Sequence, residues 1–167
     1  MFAVLAQQIS FRAAAAIYDR LVASFGGDPE PSHVQAATAA QLRPLGVSGR
    51  KAQYIAGLAA AVTDATLDLG GLAGLSDDEV RDRLTAIRGV GRWTADIFLI
   101  WSLGRWDVMP TGDIAVRRGV VVFEGQPGLA SPAEVELRAQ PWAGLRSVAY
   151  RWLVAVATAN PMPRGAT

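Results

Sequence analysis

The chain has 167 residues, 51% hydrophobic and 19% charged, with a formal net charge of +1, a balance that suits a compact folded protein and argues against disorder. It contains no cysteine and a single histidine, His33, which excludes disulfides, thiolate zinc sites, iron–sulfur clusters, cysteine nucleophiles and histidine metal clusters. No run approaches the roughly eighteen uninterrupted apolar residues of a membrane helix, and the start, MFAVLAQQIS, lacks the basic region and long apolar run of a signal peptide, so no membrane partner and a cytoplasmic location are expected.

Taken in order, residues 1–25 carry good helix formers with Val4, Leu5, Ile9, Ile17, Leu21 and Val22 at helical spacing, which predicts one long amphipathic helix stopped by Gly26-Gly27. Gln7 and Gln8 would face water on it. Pro29, Pro31 and Ser32 then separate a second helix, about His33–Leu42, with His33 an exposed first-turn residue rather than a catalyst. The segment Leu42-Arg43-Pro44-Leu45-Gly46-Val47-Ser48-Gly49-Arg50-Lys51 leads into a helix over Ala52–Thr63. Ser76-Asp77-Asp78-Glu79 is a capping box opening a helix over Asp77–Ile87, so these acids complement a helix dipole and are no metal site. A helix from Trp93 carries Ile97, Ile100 and Trp101 on its apolar face, which predicts Trp101 in the core. Another spans Ile114–Phe123. Ser131-Pro132-Ala133-Glu134 repeats the capping box with Pro132 at the first helical position. A last apolar helix covers about Gly144–Ala159, and the tail beyond Pro161 should fray. No stretch alternates with period two between turn signals, so the predicted fold is all-α.

The centre of the chain, Leu84–Arg118, is where chemistry concentrates. Fifteen of the 16 basic residues are Arg, and Arg88, Arg92, Arg105, Arg117 and Arg118 fall in this stretch, so a nearly neutral protein carries local positive charge. Gly89 and Gly91 allow a tight turn and close approach of backbone N–H groups to a partner, while Val90 can tuck between the helices. The following helix begins with unpaired N–H groups and the positive end of its dipole, a natural place for a phosphate. The bland reading is a plain helix C-cap and turn. Twenty residues after Trp93 comes Asp113, behind the breakers Pro110 and Gly112, where an Asp can simply be an N-cap.

The whole array, I-R-G-V-G-R-W-T-A-D, an aromatic-rich helix, then G-D-I-A-V-R-R, resembles the helix-hairpin-helix (HhH-GPD) DNA glycosylase superfamily, specifically its 3-methyladenine DNA glycosylase II (AlkA-like) branch. The hairpin motif maps onto Leu84–Ala95, with a degenerate second hairpin at residues 42–52, and weaker matches run over nearly all of residues 1–167 as a single glycosylase domain. The resemblance implies a two-lobed all-α body with the hairpin on the rim of a cleft. It implies Asp113 as the catalytic carboxylate, and a base-stacking pocket at Trp93, Ile97 and Val154. A wedge at Gln8, with Gln7 beside it in the Q-Q-I-S segment, would fill the gap left by an extruded base. Phosphate contacts would come from Gly89, Val90, Gly91, Arg92 and Thr94. A monovalent cation, Na+ or K+, would sit on the backbone carbonyls of Thr85, Ile87 and Val90, with no cofactor required. Arg50 and Lys51 are phosphate candidates by location, and Arg146-Ser147 resembles a family R-S pair.

This chain departs from the pattern where Ile97 and Val154 stand at positions that carry aromatic rings in well-known members, although Trp152 lies close by. The resemblance also leaves the β-rich N-terminal domain of some members and the leader that usually precedes the Q-Q segment unmatched, so Met1 is expected to be a truncation or to have residues missing upstream of it. Bifunctional relatives place a lysine where this chain has Trp93, and its one lysine, Lys51, lies on the other hairpin. A monofunctional enzyme without lyase activity is therefore expected, acting as a monomer on double-stranded DNA containing alkylated bases and associated with the nucleoid if bacterial. The competing class is a non-catalytic hairpin module that only grips phosphates, and Asp113 discriminates, because a pure binder has no use for a carboxylate facing DNA.

Overall fold

The computed structural model describes residues 1–160; the fraying expected beyond Pro161 lies outside them. The described residues are helices and connecting turns without strands: α1 (Phe2–Leu5), α2 (Phe11–Phe25), α3 (Pro31–Ala36), α4 (Ala39–Leu42), α5 (Gly49–Thr63), α6 (Asp77–Thr85), α7 (Arg92–Trp101), α8 (Ile114–Phe123), α9 (Pro132–Ala139) and α10 (Arg146–Ala159). The fold class is all-α, as the periodicity predicts. Contacts divide the chain into two compact units, residues 1–95 and a second from Asp96 onward, the boundary falling within α7. No helix among the described residues is long and apolar enough to cross a membrane.

In the first unit Leu5, Leu21, Leu42, Ile55 and Leu72 are buried together with Val80 and Leu84, the inward positions of helices that read as amphipathic. The single N-terminal helix expected over residues 1–25 is instead broken between Leu5 and Phe11. Gln8 takes φ +60 there, the Ser10 hydroxyl accepts the Ala13 amide as the cap of α2, and the Lys51 ammonium donates to the Leu5 carbonyl at 2.5 Å. Apolar spacing runs straight through this break because periodicity does not register a local cap. The helix expected over His33–Leu42 is likewise two, because Thr38 and Gln41 form a capping box that starts α4. His33 itself is exposed in α3, its ring stacked on Phe25 at 6.0 Å.

The second unit centres on α8 and α10. Their close approach rests on Gly119, where an added Cβ would lie 2.3 Å from the Leu153 carbonyl oxygen, so no larger residue fits without displacing a backbone. Buried Val116, Val120, Val135, Tyr150 and Leu153 fill the space around this crossing. The capping boxes at Ser76–Glu79 and Ser131–Glu134 both form, with each glutamate accepting its serine's amide at 2.8 Å. Those hydrogen bonds hold the Glu79 and Glu134 carboxyls below the usual carboxylate range.

Candidate functional site

In the first unit the hairpin is a tight turn: the Val90 amide donates to the Ile87 carbonyl at 3.0 Å, Gly89 has φ +90, and Val90 is buried as expected. Gly89 is required twice over. Its positive φ is costly for other residues, and a Cβ there would sit 2.1 Å from the Tyr54 ring. α7 then starts at Arg92, with the Ala95 amide returning to the Gly91 carbonyl at 3.1 Å. Arg88, Gly91 and Arg92 are exposed, whereas Thr94 is buried. The turn therefore offers the first amides of α7, two flanking guanidinium groups and the positive end of a helix dipole to an anion.

The two glutamines of the broken N-terminal segment have different surroundings. The Gln7 amide donates to the Gly89 carbonyl at 2.8 Å and to the Thr94 hydroxyl at 2.9 Å, so its side chain is occupied inside the fold. Gln8 is exposed at the point of the turn, in a left-handed conformation uncommon for a non-glycine residue. Of the pair, Gln8 has the freedom a wedge needs. Lys51, a phosphate candidate by location, is instead half-buried with its ammonium on the Leu5 carbonyl, and burial pushes its pKa down. Arg50 remains exposed.

Trp93 is half-exposed and stacks on Phe11 at 6.4 Å; Phe11 stacks in turn on Phe2 at 6.3 Å, and Phe2 meets the Tyr18 ring edge-on. The sequence offered these partners only as scattered aromatics on what reads as one helix. Further along α7, Ile97 is buried core. Trp101, expected in the core, is 55% exposed and carries the Arg151 guanidinium 4.2 Å above its ring, since the α7 surface at this end is covered by a charge rather than by another helix. Val154 is half-buried on α10, and Trp152 is largely exposed with Phe123 edge-on against it at 4.7 Å.

In the second unit Asp113 is the N-cap of α8, as the bland reading has it, with its Oδ1 accepting the Ala115 amide at 2.8 Å. It is only 8% exposed, and its Oδ2 accepts the hydroxyl of the fully buried Tyr150 at 3.2 Å. A plain surface cap needs neither the burial nor the second donor. The loop ahead of Asp113 is pinned by the R-S pair: the Ser147 hydroxyl accepts the Val108 amide at 3.0 Å, the Ser147 amide donates to the Trp106 carbonyl, and Arg146 pairs with Asp107 at 3.4 Å. Arg117 and Arg118, grouped with the hairpin arginines by sequence, spend hydrogen bonds on the Ala130 and Gly128 carbonyls and so brace the loop after α8. Among the described residues no cluster of His, Asp or Glu could hold a metal ion.

The first unit thus holds a glycine hairpin between two helices, and the second a carboxylate buried at a helix start. The chain belongs to the HhH-GPD superfamily of base excision DNA repair proteins, whose family model matches residues 1–144. It is 33% identical over 155 residues to DNA-3-methyladenine glycosylase 1 of Schizosaccharomyces pombe, covering 90% of this chain and 68% of that protein. To the DNA-3-methyladenine glycosylase of Saccharomyces cerevisiae it is 29% identical over 90% of this chain, and it spans 54% of that protein's length. Its structure superposes on the S. pombe 3-methyladenine DNA glycosylase (Mag1) in complex with abasic DNA with a TM-score of 0.89 at 30% identity, covering 98% of this chain and 81% of that one.

Proposed function

We propose that this protein is a monofunctional DNA glycosylase that excises alkylated bases of the 3-methyladenine type from duplex DNA in base excision repair. The observation that carries the reading is Asp113, a buried carboxylate that accepts the Ala115 amide and the Tyr150 hydroxyl, in a chain 33% identical to a DNA-3-methyladenine glycosylase.

The chemistry follows from what an alkylated base is. A base stacked in a duplex is out of reach and must be extruded, at a cost of a few kcal/mol that a damaged pair reduces. Gln8 fills the vacated space, while the Gly89–Arg92 turn and the first turn of α7 through Thr94 hold the backbone phosphate. Trp93 stacks on the extruded cationic base, an attraction of about 1–2 kcal/mol when desolvated. The family pattern also assigns Ile97 and Val154 to the base pocket, where both are aliphatic rather than aromatic; Ile97 is buried core and Val154 half-buried on α10. As the N-glycosidic bond breaks, its electron pair leaves with the base and positive charge builds on the sugar. The Asp113 carboxylate stabilises that charge, and water then adds to the sugar carbon, releasing a proton.

The carbonyls of Thr85, Ile87 and Val90 would hold Na+ or K+. Such neutral oxygens suit a monovalent cation, and the Ile87 carbonyl uses only one lone pair on the Val90 amide. That ion would add positive charge beside the phosphate. Lyase chemistry needs an amine, and the one lysine is committed to the Leu5 carbonyl. The protein acts as a monomer in the cytoplasm.

The test is incubation with alkylated duplex DNA, followed by chromatography of released bases and electrophoresis of the strands. The parental protein should release free 3-methyladenine and leave an intact abasic strand. A folded Asp113→Asn variant, whose side chain still caps α8, should lose nearly all release; parental release by that variant would refute the assignment.

A further inference from the structure

We propose that Tyr150 is a positioning residue for the reaction, its phenol fixing the direction of the Asp113 carboxylate through Oδ2. This rests on the reading of Asp113 given above. Tyr150 lies on α10, beyond the residues that the family model matches. Its side chain is fully buried, and a buried phenol needs a hydrogen-bond partner. The partner it has is Asp113 Oδ2, at 3.2 Å.

The placement is built by the backbone. Gly119 admits the Leu153 carbonyl against α8, and Ser147 ties the start of α10 to Val108. With α10 held at both places, the buried Tyr150 side chain lies beside the N-cap of α8. There the Ala115 amide occupies Oδ1 and the phenol occupies Oδ2, so rotation of the carboxylate breaks one bond or the other. A carboxylate that must face a developing sugar cation gains from this, because it need not reorient during the reaction.

The phenol keeps its proton, and so stays a donor. Its pKa is pushed well above the ordinary tyrosine range, first by burial, then by the charge of Asp113 and the hydrogen bond to it, and last by Asp96 from α7. A donor to the charged form of a carboxyl favours that form, so phenol and carboxylate hold each other in these states.

Tyr150→Phe keeps the ring in the core and removes the donor. Single-turnover release from alkylated DNA should fall about tenfold, while affinity for abasic-site DNA stays within about twofold. A role in packing alone would lower thermal stability without this split between release and affinity, and parental release by a folded Tyr150→Phe would overturn the proposal. A second measurement needs neither catalysis nor that variant: in Asp113→Asn, without the carboxylate charge, the buried phenol should titrate at lower pH by ultraviolet absorbance than in the parent. An unchanged phenol overturns the proposal. If the parent releases no base although the phenol moves, the excision reading fails and the Tyr150–Asp113 coupling stands.

Discussion

The first unit contains the same turn twice, and the two copies differ in one decisive residue. Gly46-Val47-Ser48-Gly49-Arg50-Lys51-Ala52 and Gly89-Val90-Gly91-Arg92-Trp93-Thr94-Ala95 align position by position. The leading glycine has φ +96 in one and +90 in the other. The valine after it is buried in both. The closing alanine amide returns to the carbonyl four residues earlier in both, Ser48 at 2.8 Å and Gly91 at 3.1 Å. In the first copy the Ser48 hydroxyl accepts the Lys51 amide at 3.3 Å, so the helix start is closed from within. In the second, Gly91 has no side chain to do this, and nothing lies within 4 Å of where its Cβ would be. One turn caps its helix start with its own side chain, and the other has no side chain at that position to do so.

The third helical residue of each copy has a shared task. Lys51 reaches the Leu5 carbonyl and Thr94 takes the Gln7 amide, so the two turns grip both sides of the segment that presents Gln8. The degenerate hairpin thus helps hold the segment that carries Gln8, as the intact one does from the other side.

The largest effect expected from breaking this symmetry is at the leading glycines. Gly89→Ala meets the Tyr54 ring at 2.1 Å in a backbone conformation that costs an alanine about 1–2 kcal/mol, and overpacking adds roughly 1–3 kcal/mol more. Gly46→Ala has the same backbone cost, but its nearest obstacle, at 2.8 Å, is the flexible end of Arg20. Thermal unfolding should therefore rank Gly89→Ala well below Gly46→Ala, and equal losses would mean that the two turns are equally tolerant.

The sequence carried the existence and type of most helices because their apolar stripes are long and regular, as in α2, α5 and α8. It carried Asp113 and the hairpin because breakers and glycines flag them. It missed the break at Leu5–Phe11, where the apolar period continues across a turn fixed by the local Ser10 cap and by Lys51, Gly89 and Thr94 from distant parts of the chain. Thr38-x-x-Gln41 carried a readable capping signal for the split before α4. Gly119 and Tyr150 were invisible, since a glycine inside a helix and a tyrosine on an apolar face declare their roles only through the neighbour they meet.

A smaller and more discriminating change is Gly91→Ser, which gives the second turn the residue of the first. Gly91 does not have a positive φ and its Cβ site is open, so the fold should accept serine and gain a few tenths of a kcal/mol from the new cap. The hydroxyl would then occupy an amide that a phosphate needs. Affinity for duplex DNA of any sequence should drop on the order of tenfold, the scale of one charge-assisted hydrogen bond, and the dependence on salt should flatten. Fluorescence anisotropy against salt measures both, and undiminished binding with a stabilised fold would show that phosphate is held elsewhere.

The smallest effect belongs to the converse change, Ser48→Ala, which opens the first turn. Loss of an exposed cap should cost about 1 kcal/mol of stability. DNA affinity should not move, because the first copy's other specialised group, Lys51, already faces Leu5 rather than solvent. A denaturant titration paired with duplex-DNA anisotropy separates the two. If Ser48→Ala changes affinity while Gly91→Ser does not, the roles of the two turns are reversed: the segment at 46–52 holds the phosphate and the one at 89–95 is the support.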